Sequence, residues 1–115
     1  MHNPPFAHCY ELETIMILKV DSECLFENAF FKCKKLKNIN SISGKIKNDI
    51  SFAYSPELSE DTVDRVINAL YDLDENENFT LTLHLTVYNN IFNKRQDLIN
   101  LADSKGWIVQ GVIPS

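Results

Sequence analysis

Cysteine, histidine and carboxylate side chains are where chemistry would start in this chain. Cys9 and Cys33 lie 24 residues apart and His2 and His8 sit close to the first of them. Zinc needs a fourth ligand at suitable spacing, and none follows, so no metal site is expected. Asp72, Asp74 and Asn76 match the first, third and fifth positions of a calcium loop. Glu77 stands where that loop needs glycine, and Leu83 where it needs the bidentate glutamate, so a solvated helix end is expected instead. His84 has no Asp or Ser partner near it in sequence, and one residue makes no catalytic dyad. Lys32, Lys34, Lys35, Lys37, Lys45 and Lys47 form a basic strip without interleaved aromatics. It reads as a solvated turn face rather than a nucleic-acid surface. No catalytic, cofactor-binding or metal-ligating residue is therefore assigned.

The elements that would position these residues follow from pattern. Leu12 to Val20 is apolar and β-branched, a short strand and its continuation. Cys24 to Phe31 places Leu25, Phe26, Ala29 and Phe30 on one face of a helical turn. Ser41 to Lys47, with Gly44, is a turn, and Asp49 to Phe52 a brief strand. Ser59 is an N-cap, with Glu60 and Asp61 at the positive end of the helix dipole. Val63, Val66, Ile67, Leu70 and Leu73 form that helix's apolar stripe. Phe79 to Val87 alternates strictly and is expected to be one half-buried strand. A second helix starts at Asn89-Asn90, with Ile91, Arg95, Leu98 and Ala102 on its core face, and ends at Lys105-Gly106. Trp107 packs back, Ile108 to Ile113 is the last strand, and Pro114 stops it.

Helical crossovers join parallel strands. The strands near 12, 36, 49, 79 and 108 are expected to form one parallel sheet in chain order. Leu36, Ile39, Ile50, Phe52, Leu81, Leu83, Ile108 and Val112 would form or flank its core. One self-similarity stands behind this. Phe6, Cys9, Leu12 and Ile15 recur as Phe30, Cys33, Leu36 and Ile39, each 24 residues on. A period of about 20–29 residues marks a leucine-rich-repeat stack. On adjacent rungs Cys9 and Cys33 would sit about 5 Å apart, and the expected state is two buried free thiols.

The Phe-x-x-Cys-x-x-Leu-x-x-Ile pattern at Phe6–Ile15 and Phe30–Ile39 resembles the BspA-like leucine-rich repeats of bacterial surface and phage-associated proteins. The C-terminal part resembles the cap that follows such repeats. It carries Leu58-Ser59, Val66-Ile67-Asn68-Ala69-Leu70, Thr80-Leu81-Thr82-Leu83 and Ala102-Asp103-Ser104-Lys105-Gly106-Trp107. The resemblance implies an α/β fold: a short solenoid with a parallel sheet over about residues 6–48, then a β-α-β-α-β cap over about 49–113. All 115 residues make one domain. It also implies binding of protein or carbohydrate, no catalysis and no cofactor.

Composition narrows the classes further. Net charge is −5, with +1 on residues 1–50 and −6 on 51–115. That balance disfavours nucleic acid. No apolar run reaches the ~18 residues of a membrane helix, and the N-terminus shows no secretion signal. Three cysteines without a CxxC fit a reducing compartment. The location implied by the family is the bacterial surface or a phage particle. The expected function is a non-enzymatic protein-interaction or structural module. The alternatives are a phage or prophage structural accessory protein, and a small α/β enzyme with its site at the C-terminal strand ends. A protein partner is expected. The rung carrying Phe6, Leu12, Ile15 and Ile17 has no cap in the sequence pattern, so it is the expected self-association surface of a homodimer.

Overall fold

The computed structural model describes residues 10–20, 30 and 32–114. Expectations on Met1–Pro5, Phe6, His2, His8, Cys9 and 21–29 lie outside the described residues. The 24-residue offset reappears as backbone pairing. Strand β1 (Thr14–Ile15) pairs in parallel with β3 (Asn38–Ile39), and β2 (Leu18–Lys19) with β4 (Ile42–Ser43). Each partner is 24 residues on. The N–H groups of Lys37 and Asn38 donate to Glu13 O, and that of Asn40 to Ile15 O. Leu18 N–H then donates to Ser41 O and Val20 N–H to Ser43 O, so the ladder continues through both short strands. The four repeat positions of the second copy, Phe30, Cys33, Leu36 and Ile39, are all buried, which makes the repeat an inward-facing set. In the first copy Ile15 is buried and Leu12 half-buried. The segment expected to be a turn, Ser41 to Lys47, instead carries β4 and a bridging Ile46, with a bend at Gly44, at φ +97°, between them.

Among the described residues the strands do not join into one sheet in chain order. They fall into three parallel sheets, β1-β3, β2-β4 and β5-β6-β7, the last made of β5 (Ile50–Phe52), β6 (Thr80–His84) and β7 (Ile108–Val112). The reason is helix α1 (Glu60–Ala69), which occupies the place of a third strand beside β3. Ser59 N–H donates to Lys37 O at 2.8 Å. Ile39 N–H donates to the Thr62 hydroxyl at 3.1 Å, and Arg65 Nη1 donates to Ile39 O at 2.7 Å. Side chains of a helix thus satisfy the strand edge that another strand would otherwise take. The 24-residue offset persists past this point, in a single parallel bridge between Ile46 and Leu70. Ser59 caps α1 as expected, its hydroxyl accepting from Thr62 N–H. Val63, Val66, Ile67 and Leu70 are buried, and Leu73 packs against the core beyond the helix end.

The alternating segment is shorter than expected. β6 stops at His84, and helix α2 (Leu85–Asn90) begins at once. His84 Nδ1 accepts from Thr86 N–H at 3.0 Å, so the last residue of β6 is also the N-cap of α2. The alternation of Leu85 and Val87 carries no turn signal. The cap bond and the packing of Tyr88 and Leu85 over Gly111 decide the helix. The expected single second helix is also broken. A 3₁₀ turn at Phe92–Lys94 separates α2 from α3 (Gln96–Ser104), and Arg95 sits at the break. Arg95 does not face the core: its guanidinium is shared by Glu60, Asp64 and Asp97 at 2.8–2.9 Å.

Parallel register sorts the last sheet into two faces. Ile50, Phe52, Leu81, Leu83 and Val109 turn toward the core, while Ser51, Thr80, Thr82, Ile108 and Gln110 turn outward. Ile108, expected to form or flank the core, is therefore exposed, at 57%. It pairs with Thr80 and must share its face. Trp107 is buried, and its Nε1–H donates to Tyr71 O at 2.8 Å. Gly106 follows the α3 end at φ +83°. Lys105 reaches across to α1 and donates to Ile67, Asn68 and Leu70 carbonyls at 2.9–3.1 Å. Those are groups a helix end leaves unsatisfied. A single cluster of buried side chains runs from Ile15 to Trp107 and includes the Phe30–Phe52 stack at 4.6 Å.

Candidate interaction surface

Each 24-residue turn places two residues between its short strands where they face water. In the second turn these are Asn40 and Ser41, both polar and exposed. The equivalent residues of the first turn are Met16 and Ile17, 68% and 58% exposed. The spacing that forces this is local. Ile15 and Leu18 both point inward three residues apart, so the two residues between them bow outward. Ser41 Oγ–H donates to Met16 O at 3.2 Å, and Asn40 Nδ2–H to Met16 Sδ at 3.2 Å, so the second turn holds the first in place.

Of the expected self-association residues, Phe6 lies outside the described residues. Ile15 is buried and Leu12 half-buried. Ile17 is exposed, and Met16 joins it. Sequence reasoning missed Met16, although aligning the two repeat copies exposes it: an apolar pair stands where the next copy has Asn-Ser. Among the described residues β1 and β2 each pair on one side only, so the same turn also presents two strand edges.

Other chemistry-bearing residues resolve into structural roles. Cys33 is buried, and its carbonyl accepts from the buried Ser55 hydroxyl at 2.8 Å. The 72–78 loop closes on itself: Asn76 N–H donates to Asp74 Oδ1 and Asp74 N–H to Glu77 Oε1. Glu77 also pairs with Lys47, which lies over the Tyr71 ring. Among the described residues no group of three or more His, Cys, Asp or Glu could hold a metal ion. The basic strip is partly neutralised. Hydrogen bonds to Glu11 and Glu77 hold Lys35 and Lys47 above the ordinary lysine range. Lys105 is pushed down, first by burial and then by the nearby Lys45. Asp97 is held below the usual carboxylate range by its bond from Arg95, and Arg95 is raised in turn.

No helix among the described residues is long and apolar enough to cross a membrane. Comparison with protein-family models, with curated proteins and with solved structures finds no match to this chain.

Proposed function

We propose that this chain is a non-enzymatic protein-interaction module of leucine-rich-repeat type, a closing segment of the BspA-like kind. Its first turn docks a partner through Met16, Ile17 and the edges of β1 and β2. The observation that carries this reading is the apolar pair at a repeat position that the next turn fills with Asn40 and Ser41. Adjacent exposed apolar side chains begin the kind of contiguous patch that marks an interaction site, and Met16 and Ile17 are adjacent. The other side of the stack supports the same direction of growth. There α1 closes the β3 edge through Thr62 and Arg65, so addition of a further strand is blocked.

The partner favoured first is a second copy, because identical edges meet about a two-fold axis. Light scattering of the full chain at micromolar concentration is expected to give a dimer. The variant carrying both Met16→Lys and Ile17→Lys is expected to be monomeric with an unchanged circular dichroism spectrum, since both side chains already face water. A strict wild-type monomer removes the homodimer. A dimer indifferent to the double substitution removes this surface. A structural accessory role in a phage particle uses the same surface and is tested by the same variant.

A further inference from the structure

Strand β7 is an outer strand of its sheet, and only one of its edges is paired. Ile108 N–H donates to Phe79 O at 3.1 Å, and the parallel register carries this bonding on through Gln110 and Val112. Backbone groups alternate in direction along a strand, so those of Val109 and Gly111 point away from β6. Among the described residues nothing pairs with them. The side chains along this segment are apolar and face water: Ile108 is 57% exposed, and Ile113, just past the strand, 69%. Residues 107–115 hold no charged side chain, in a chain of net charge −5. We propose that this edge is a second self-association site, at which β7 of one copy pairs antiparallel with β7 of another.

Charge and symmetry select a second copy as the occupant. Edge strands are ordinarily kept from pairing by lysine, proline or an inward-pointing charge. Ile108–Val112 carries none of these, and Pro114 lies beyond the strand. Two copies of a chain with net charge −5 repel each other, so an uncharged edge is where they approach at least cost. A two-fold axis at Gln110 brings Val109 of each copy opposite Gly111 of the other. These are the residues whose backbone groups point outward, and they then exchange N–H···O bonds across the axis. On the open face Ile108 comes opposite Val112, and Gln110 opposite its own copy, with no like charges facing. The two three-stranded sheets become one continuous sheet, at the upper end of the common size of about 4–6 strands. This edge shares no residue with the Met16–Ile17 surface and does not rest on that reading. It is only five residues long, so association is expected at about 0.1–1 mM, above the micromolar range of the first surface.

The test is analytical ultracentrifugation of the full chain carrying Met16→Lys and Ile17→Lys, which silences the first surface. At about 1 mM this variant is expected to be a dimer. Exchange of the Val109 and Gly111 amides should be several-fold slower at about 1 mM than at about 20 µM. The amides of Ile108, Gln110 and Val112, already bonded to β6, should not change. Adding Gln110→Lys sets like charges opposite each other at the axis, where cross-strand Cβ atoms are about 5 Å apart. That variant, and the one with Gln110→Glu, are each expected to be monomeric with an unchanged circular dichroism spectrum, since position 110 is exposed. An equimolar mixture of the two should associate again, because opposite charges then meet. A strict monomer before any change at Gln110 overturns the proposal. So does a dimer that survives both charge substitutions, a dimer without slowed exchange at Val109 and Gly111, or a mixture that stays monomeric. With Met16 and Ile17 intact, two different two-fold contacts build species larger than a dimer. Growth that stops at the dimer there, while the double variant still dimerises, removes the first surface and leaves this edge standing.

Discussion

Gly44 and Gly106 share a positive φ, but their neighbours differ. A Cβ on Gly44 would lie 2.1 Å from the Val20 carbonyl oxygen, whereas a Cβ on Gly106 meets Leu73 only at ordinary contact distance. Gly44→Ala must therefore push apart the two turns that Val20 N–H and Ser43 O join, in addition to the backbone cost. It is expected to destabilise by about 2–4 kcal/mol in urea denaturation. Gly106→Val carries the φ cost alone and should lose about 1–2 kcal/mol. A larger loss at Gly106 than at Gly44 would reverse this account of the two turns. Leu83 gives the third case. It is buried on the core face of β6, and Leu83→Asp should cost about 3 kcal/mol or more by placing an unpaired charge there. A melting temperature within a degree or two of wild type would mean the face is wrongly assigned.

Among the elements, α1 has the largest consequence, because it ends the sheet that the repeats begin. Thr62 is fully buried and accepts the Ile39 N–H. Thr62→Val keeps the shape and removes the acceptor, so the amide is left buried and unpaired. A loss of roughly 1–3 kcal/mol is expected, with faster exchange of the Ile39 amide than of its neighbours. The junction of α2 and α3 offers a pH test. Asp97 has its folded pKa lowered, first by the hydrogen bond from Arg95. A carboxylate of this kind adds stability above its unfolded pKa, near ~3.9, and that contribution is lost as pH falls through the depressed folded value. Melting temperature should thus fall below about pH 4 in the wild type. In Arg95→Gln the acid-sensitive part should shrink, since the carboxylate then has no guanidinium to lose. An identical acid slope in both proteins would mean the pair contributes nothing to folding.

At the scale of the whole molecule, one buried cluster joins the repeat turns to the three-stranded sheet. Phe30 of the second turn stacks on Phe52 of β5, Ile39 meets α1, and α1 is tied to the end of α3 by Lys105. Unfolding is therefore expected to be a single transition, with Trp107 fluorescence and far-ultraviolet circular dichroism coinciding. Gly44→Ala acts in the turns farthest along the chain from Trp107, yet it should move the Trp107 midpoint by the same amount as the dichroism midpoint. Two separate midpoints would divide the chain into independent units.

What the sequence determined by itself was periodic or local. The 24-residue spacing reappears as parallel pairing at that same offset, Ile15 with Ile39 and Leu18 with Ile42, because repeated segments stack in register. The Ser59 cap, the α1 stripe, the Gly106 turn and the burial of Trp107 were also legible, since capping and apolar period act within a few residues. Tertiary structure alone decided the rest. Strict alternation from Phe79 to Val87 could not show that β6 ends at His84, because the packing of Tyr88 and Leu85 over Gly111 is set by β7. The outward face of Ile108 followed from pairing with Thr80, a partner 28 residues away in the chain. The expected contact residue Ile15 turned inward while Met16 and Ile17 turned out, since two-residue strands reverse the alternation that a longer strand would keep. The division into three sheets rested on hydroxyl and guanidinium groups of α1 meeting the edge of β3. Hydrogen-bond partners that far apart in the chain leave no periodic trace, and only the folded arrangement brings them within reach.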